Sequence, residues 1–317
     1  MCLYPKLIRN PKYKPTKKNG GIPPVCYDTR LLYIPAACGE CYECRKKKQR
    51  EYQIRLQEEI RHTHGEFLTL TIDNDWYKKL EKEIPKLPKE TIKKTKISGE
   101  YDNLIATIAL RKFLERCRKE TGKSIKHWCI TELGDEKGRM HIHGIFFGKD
   151  INKTIQKNWK YGFIYIGQYV NERTVMYITK YMFKQCEYNK LFKGKVLSSS
   201  GIGSGYVSRF DSSRNKYKNN GNTNETYQFK NGVKVNLPNY YRNKIYSEEE
   251  KEKLWIEKLE KGYIWIMGEK VNARNPEEFS KCLEYYQARA IGLGGAKKED
   301  WERSKYIRRL IRENRRR

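Results

Sequence analysis

Two β-rich runs, His127 to Leu133 and Arg139 to Phe147, are separated only by the turn-rich segment GDEKG. Strands joined by so short a connection fold back on each other as an antiparallel hairpin, so the middle of this chain is committed to a sheet. A third strand is expected at FLTLTID, Phe67 to Asp73, where Leu and Thr alternate. Between it and the hairpin lies a polar insertion from Lys78 to Tyr101 with two prolines. A helix then follows, with Asp102 or Asn103 as cap, Leu104, Ile108, Phe113 and Leu114 as apolar face, and Gly122 as stop. A further strand, Phe163 to Ile166, precedes a helix from about Asn171 to Gln185. This order predicts an α+β fold, a central and mainly antiparallel sheet with helices against one face.

The flanks read differently. From Met1 to about Ile34 the chain is rich in Pro, Lys, Tyr and Gly without a sustained period and reads as an extended arm, ending at Cys38, Cys41 and Cys44. A helix from Glu43 to Arg61 is expected, with Tyr52, Leu56 and Ile60 as its buried stripe. Beyond Lys190 the SSSGIGSG run, an Asn/Lys-rich stretch and a second region of helix and strand read as an appended module, with a basic tail at 304–317. The expected division is therefore an N-terminal arm, Cys cluster and basic helix (1–62), a core (63–190) and a C-terminal basic module (191–317).

Lys and Arg number 67 against 38 Asp and Glu, a formal net charge of +29. That far exceeds what solubility needs and calls for a polyanionic partner. No stretch approaches the 18 or more apolar residues of a membrane span, and the first residues lack a signal-peptide core, so nucleic acid outranks lipid. Nine cysteines without an export signal point to a reducing cytoplasm, where they serve as thiols or metal ligands. The 24 Tyr, 10 Phe and 6 Trp supply flat faces on which unpaired bases stack.

The chemistry-bearing residues fall into three groups. In His141-Ile142-His143 the strand period of two puts both imidazoles on one face. Glu132, across the hairpin, falls opposite His141, and a one-residue slip would turn it away. Two neutral nitrogens and one hard oxygen with open positions suit Mg²⁺ or Mn²⁺ activating a phosphate. On a helix, Tyr177, Lys180, Tyr181 and Lys184 share an arc of about 100° while Val175, Ile178 and Met182 face the other way. Two phenols and two ammonium groups on one face can hold a phosphate and favour a phenolate nucleophile, although a chain with 24 tyrosines contains such pairs by chance as well.

Cys38, Cys41 and Cys44 lack a nearby fourth ligand for a structural zinc, and either Cys2 or Cys26 would complete one. Ordinary thiols are the plain alternative, and the distant Cys-Pro of an iron–sulfur pattern is absent. Arg45, Lys46, Lys47, Lys48 and Arg50 load the start of the adjoining helix with positive charge against its dipole, so a thiolate cluster or phosphate is expected nearby, unless they form a merely solvated face. Cys117, Cys129, Cys186 and Cys282 read as structural.

FLTLTID, HIHGIFFG and YITKYMFK, in this order and spacing, resemble the His-hydrophobic-His endonucleases, and within them the replication initiators of microviruses, particularly the gokushovirus-like single-stranded DNA phages. MCLYPKLIRNPKY, CGECYECRKKKQ, SSGIGSGY and LPNYYRNK are similar more loosely. The resemblance implies a ferredoxin- or RRM-like endonuclease core and a divalent metal on Glu132, His141 and His143, the third ligand being the one that varies among relatives. It also implies a tyrosine that attacks the backbone to give a 5′-phosphotyrosine, and a second tyrosine for strand transfer. Rolling-circle replication from the single-stranded origin region of a circular genome, in the host bacterium's cytoplasm with host polymerase and helicase, would be the setting. Cys2 fits the family's N-terminal pattern better than Cys26. Two rivals stand beside this reading: a plasmid- or transposon-type nickase of the same superfamily, and a non-enzymatic basic nucleic-acid-binding zinc module.

Overall fold

The structure is a computed structural model that describes residues 1–84, 89–167, 170–184, 189, 191–218, 221–293, 299, 306, 309 and 313. The chain divides into two compact units, Met1–Glu51 with Val207–Trp301, and Tyr52–Tyr206 with Glu302–Arg317. In the first unit β1 (Lys6–Arg9) pairs antiparallel with β2 (Tyr33–Ala36). Helix α1 (Tyr42–Ile60) starts in this unit and ends in the second.

The second unit is built on β3 (Gly65–Thr71), β4 (Lys126–Leu133), β5 (Met140–Phe147), β6 (Ile164–Ile166) and β7 (Val196–Ser198). They form one antiparallel sheet in the order β6-β3-β5-β4-β7. With α2 (Asn74–Glu81), α3 (Lys89–Ile97), α4 (Glu100–Thr121) and α5 (Asn152–Asn158) inserted, β3-α4-β4-β5-α5-β6 runs as the split βαβ of a ferredoxin-like core, with β7 added at one edge.

Strand alternation gives the sheet two apolar faces. Leu68, Leu70, Ile142 and Phe146 pack with Ile105, Ala109, Phe113 and Cys117 of α4 and Ile155 of α5. On the opposite face Trp128, Ile130, Ile145 and Phe147 pack with Leu56 of α1 and with Val175 and Ile178 of α6 (Glu172–Lys180). Each of these large side chains stabilises by roughly 1.5–3 kcal/mol when removed from water. Helices thus cover both faces, where the sequence pattern suggests one. The reason is that β4 and β5 are buried along nearly their whole length, a run that demands cover on each side.

Helix α4 is capped by Gly99, held at φ +68°, and not by Asp102 or Asn103. Phe192 Cδ2 would lie 2.5 Å from a Cβ at Gly99, so glycine is required there. Asn103 instead donates to Lys193 O at 3.1 Å and accepts from the Thr131 hydroxyl. The proline-containing insertion is largely helical, as α2 and α3, while Pro85 and Pro88 lie outside the described residues. Helix α6 begins at the Asn171 cap as expected but ends at Lys180, not Gln185, which is itself outside the described residues. Past Lys180 the N–H groups of Tyr181, Met182 and Phe183 donate to the carbonyls three residues back, a tighter turn than the α-helix.

The first unit continues with β8 (Thr226–Gln228), β9 (Lys234–Asn236), α7 (Asn239–Ile245), α8 (Glu248–Glu260), β10 (Tyr263–Ile266), β11 (Glu269–Asn272) and α9 (Pro276–Gly292). The N-terminal segment, expected as an extended arm, is built into this unit. Leu3, Cys38 and Cys41 share one apolar cluster with Ile266, Val271, Tyr286 and Ala290. Lys12 and Tyr13 both donate to Glu252 of α8, at 2.8 and 3.1 Å. The basic tail at 304–317 lies outside the described residues except at Tyr306, Arg309 and Glu313. No helix among the described residues is long and apolar enough to cross a membrane.

Candidate metal and tyrosine site

The hairpin register places Glu132 directly across from His141, and Ile130 across from His143. Period-two alternation then puts Glu132, His141 and His143 on one face, the face covered by α1 and α6. One nitrogen of each histidine and one oxygen of Glu132 all lie within 4.8 Å of one another. An ion sits about 2.0–2.2 Å from such donors, so small side-chain rotations would close the three onto one centre. Their chemistry fits a hard divalent cation better than zinc, since no thiolate takes part and one ligand is a carboxylate.

Supporting groups orient the ligands. His143 Nε2 lies 2.5 Å from Glu132 Oε2, while its Nδ1 is hydrogen-bonded to the Thr69 hydroxyl at 2.9 Å. With Nδ1–H donating to Thr69, Nε2 offers its lone pair toward the carboxylate, the arrangement common behind metal-bound imidazoles. Burial, reinforced by the charge of His143, pushes the His141 pKa below the ordinary imidazole value, which leaves the neutral form that ligates metals. Burial would raise the Glu132 carboxyl, but hydrogen bonds from His143 and Lys184 outweigh it and hold it below its usual range.

Both tyrosines of the sequence motif reach this site. The Tyr181 ring stacks on His143 with centroids 4.2 Å apart, and its hydroxyl lies 2.7 Å from that of Tyr177. Phe67 meets Tyr177 edge-on at 6.2 Å. Tyr177 is half exposed. Burial and the Tyr177 hydrogen bond push the Tyr181 pKa up, so its hydroxyl holds its proton.

The lysines differ from the helical-face expectation. Lys180 is exposed at the end of α6. Lys184, beyond the helix, turns its ammonium onto Glu132 and reaches Asp135 at 3.0 Å, with the Tyr181 ring 5.9 Å away. Helical spacing places it beside the phenols, whereas the turn after Lys180 delivers it to the carboxylate. Motif reading misses Thr69, Phe67 and Asp135. The Thr alternation in FLTLTID is the available signal for Thr69, because β3 pairs Thr69 with His143 and Thr71 with His141.

A second cluster lies in the first unit. The sulfurs of Cys2, Cys38, Cys41 and Cys44 are all within 4.8 Å of one another, with Cys2···Cys41 and Cys38···Cys44 both at 3.9 Å. Tetrahedral zinc with Zn–S of about 2.3 Å sets S···S near 3.8 Å, so the spacing fits. Backbone N–H groups of Leu3, Tyr4, Cys38, Glu40 and Cys41 point at these sulfurs, donors that stabilise thiolates. The neighbouring thiols, Cys2 foremost, pull Cys38 well below the usual thiol range. Cys26 stays apart, donating to Asp28 O. Cys117 and Cys129 are buried, Cys282 is half-buried, and Cys186 is outside the described residues.

A ferredoxin-like sheet that holds a histidine pair beside a helix-borne tyrosine pair has the organisation of the replication-initiator class that the motifs resemble. Residues 65–186 match a family model for replication-associated proteins of the ORF2 type, a span that contains both histidines and both tyrosines. The chain is also similar to "Replication-associated protein ORF4" of Chlamydia phage 1, with 24% identity over 185 residues. That alignment takes in 50% of this chain and 40% of the relative, so the chain spans less than half of the relative's length. No solved structure matches it. The resemblance to microvirus replication initiators drawn from the motifs therefore holds.

Proposed function

We propose that the chain is a divalent-metal-dependent DNA nickase and strand transferase that initiates rolling-circle replication of a circular phage genome in the cytoplasm of its host bacterium. The observation that carries this reading is the convergence of Glu132, His141 and His143 beneath two tyrosines whose hydroxyls touch. A Mg²⁺ or Mn²⁺ ion held by those three residues would polarise the scissile phosphate. One tyrosine oxygen attacks phosphorus, the P–O bond to the 3′-oxygen breaks, that oxygen leaves as a hydroxyl after taking up a proton, and the 5′ end stays on the protein as phosphotyrosine. The second tyrosine attacks the regenerated origin junction, and the freed 3′-hydroxyl then attacks the first phosphotyrosine to close the displaced circle. No external energy source is consumed, because each phosphodiester is exchanged for another. Host polymerase and helicase would act on the liberated 3′ end.

The test is incubation of the purified chain with single-stranded DNA from the origin region of its genome, with and without Mg²⁺ or Mn²⁺. Nicking and a covalent protein–DNA adduct are expected only with metal and are expected to vanish in His141→Ala and His143→Ala. Binding without cleavage under every condition would instead support the non-enzymatic binding module. Thr69→Val, which keeps the shape but removes the hydroxyl behind His143, is expected to lower metal affinity or nicking by about 10- to 100-fold. Unchanged Mn²⁺ affinity by calorimetry would show that Thr69 does not orient the ligand.

The four-cysteine cluster is assigned a structural zinc that ties Cys2 at the N-terminus to the start of α1, and with it the apolar cluster of the first unit.

A further inference from the structure

Leu133 and Met140, which flank Glu132 and His141 on the hairpin, point to the sheet face opposite the metal ligands and form part of a cavity of about 370 Å³. Its size falls within the roughly 300–1,000 Å³ of small-ligand sites. Its walls are unlike the rest of that apolar face. Asn74, at the start of α2, and Tyr77 one turn on supply an amide and an aromatic ring, Asp102 supplies a carboxylate, and Lys96, Lys137 and Arg139 supply positive charge. Lys137 and Arg139 lie in the loop joining β4 to β5, whose flanking strands carry the metal ligands on their other side.

Asp102 has no part in the chemistry proposed above, yet it is set deeply. Its Oδ1 accepts from the Tyr77 hydroxyl at 2.6 Å, and burial raises its pKa. A carboxylate sunk in a basic-rimmed cavity and orienting a tyrosine is an expensive arrangement for packing alone. It suits a planar ligand that brings N–H donors to the carboxylate, a face to the ring and negative charge to the rim.

We infer that this cavity takes one unpaired nucleotide of the same DNA strand whose phosphate is cleaved, the base entering against Tyr77 and Asp102 and the flanking phosphates meeting Lys137 and Arg139. The inference rests on the nickase reading for the identity of the ligand. A strand that rounds the hairpin loop passes from the metal side to the cavity by crossing the thickness of the sheet's end, because consecutive residues of one strand serve the two sites. The base would be extruded and read on its hydrogen-bonding edge, as enzymes and RNA-binding modules read unpaired bases. Because Asp102 offers only acceptors, a base with an amino group, adenine, cytosine or guanine, is favoured over thymine, whose edge has two carbonyls around a single N–H. The cavity would thus set sequence choice beside the cleaved bond, while rim contacts add affinity without preference.

The experiment is selection by the full-length chain from a randomised single-stranded DNA pool in Mg²⁺, followed by sequencing and covalent-adduct assays. Wild type is expected to enrich a motif in which one position excludes thymine. Asp102→Asn, which introduces an amide donor, should change the preference at that single position by roughly tenfold and leave the others intact. Tyr77→Phe keeps the ring and frees Asp102, and should relax the same position. Lys137→Ala and Arg139→Ala, in the hairpin loop, should weaken binding to all sequences about equally and reduce its salt dependence. If the Asp102 and Tyr77 variants select the wild-type motif unchanged, or wild type shows no position of preference, the cavity is not a base site, whether or not the protein nicks DNA. If wild type selects the motif, the variants alter it and no adduct ever forms, the nickase reading fails and the nucleotide site stands.

Discussion

A Tyr177→Phe/Tyr181→Phe double variant is expected to form no covalent adduct with single-stranded origin DNA in Mg²⁺ or Mn²⁺, a loss on the order of 10⁴-fold or more, as when a catalytic nucleophile is deleted. Each single variant should still cleave or lose only one transfer step. The argument is geometric. The two hydroxyls are 2.7 Å apart and both rings lie against the histidine side of the sheet, Tyr181 on His143 and Tyr177 on Phe67. Either oxygen can therefore be offered to one phosphate by side-chain motion alone, without remodelling the sheet. Phe keeps both aromatic contacts, so loss of activity would not follow from loss of packing. Denaturing gel electrophoresis with end-labelled DNA reads the adduct directly. Persistence of the adduct in the double variant would move the nucleophile to another tyrosine.

Stripping the metal from the four-cysteine cluster, or Cys38→Ser, is expected to unfold the first unit while the second keeps its structure. Structural zinc contributes apparent binding free energies of about 10–16 kcal/mol in small zinc domains, comparable to or greater than the roughly 5–15 kcal/mol stability of a whole domain. The sulfurs are embedded in the apolar cluster of Leu3, Ile266, Val271 and Tyr286, so their separation would open that cluster. Metal analysis should find one zinc per chain, and chelation should produce a low-temperature transition in calorimetry. Protein without zinc that melts at the same temperature as the native chain would show the cluster to be plain thiols. Hydrogen exchange localises the effect. The central strands of the second unit, with Trp128, Phe146 and Ile142 buried, should stay protected in the stripped protein.

Much of the candidate site is legible in the sequence because it obeys short periods. A hairpin with a short loop has few registers, and only one puts Glu132 on the histidine face, so three ligands from two strands are readable together. The tyrosine pair is readable because positions four apart on a helix share a face. Where legibility fails, the cause is local. Helical spacing assigns Lys184 to the same face, but the chain tightens after Lys180 and delivers the ammonium to Glu132 and Asp135. Residue type assigns the cap of α4 to Asp102 or Asn103, while Gly99 caps it through its backbone conformation and frees both side chains for other partners.

By itself the sequence determined the α+β class, the hairpin and its ligand face, the tyrosine pair and the polyanionic partner implied by a net charge of +29, because each of these depends on residues close in the chain or on a sum over it. Only the tertiary structure decided that helices cover both faces of the sheet, that Cys2 and not Cys26 closes the cysteine cluster, and that the N-terminal segment shares a core with β10, β11 and α9. The cavity behind the hairpin belongs with these, since it joins Asn74, Tyr77 and Asp102 to Lys137 and Arg139. Such groupings leave no period in the sequence: they are contacts between residues tens to hundreds of positions apart, chosen by packing and by which buried polar group needs a partner.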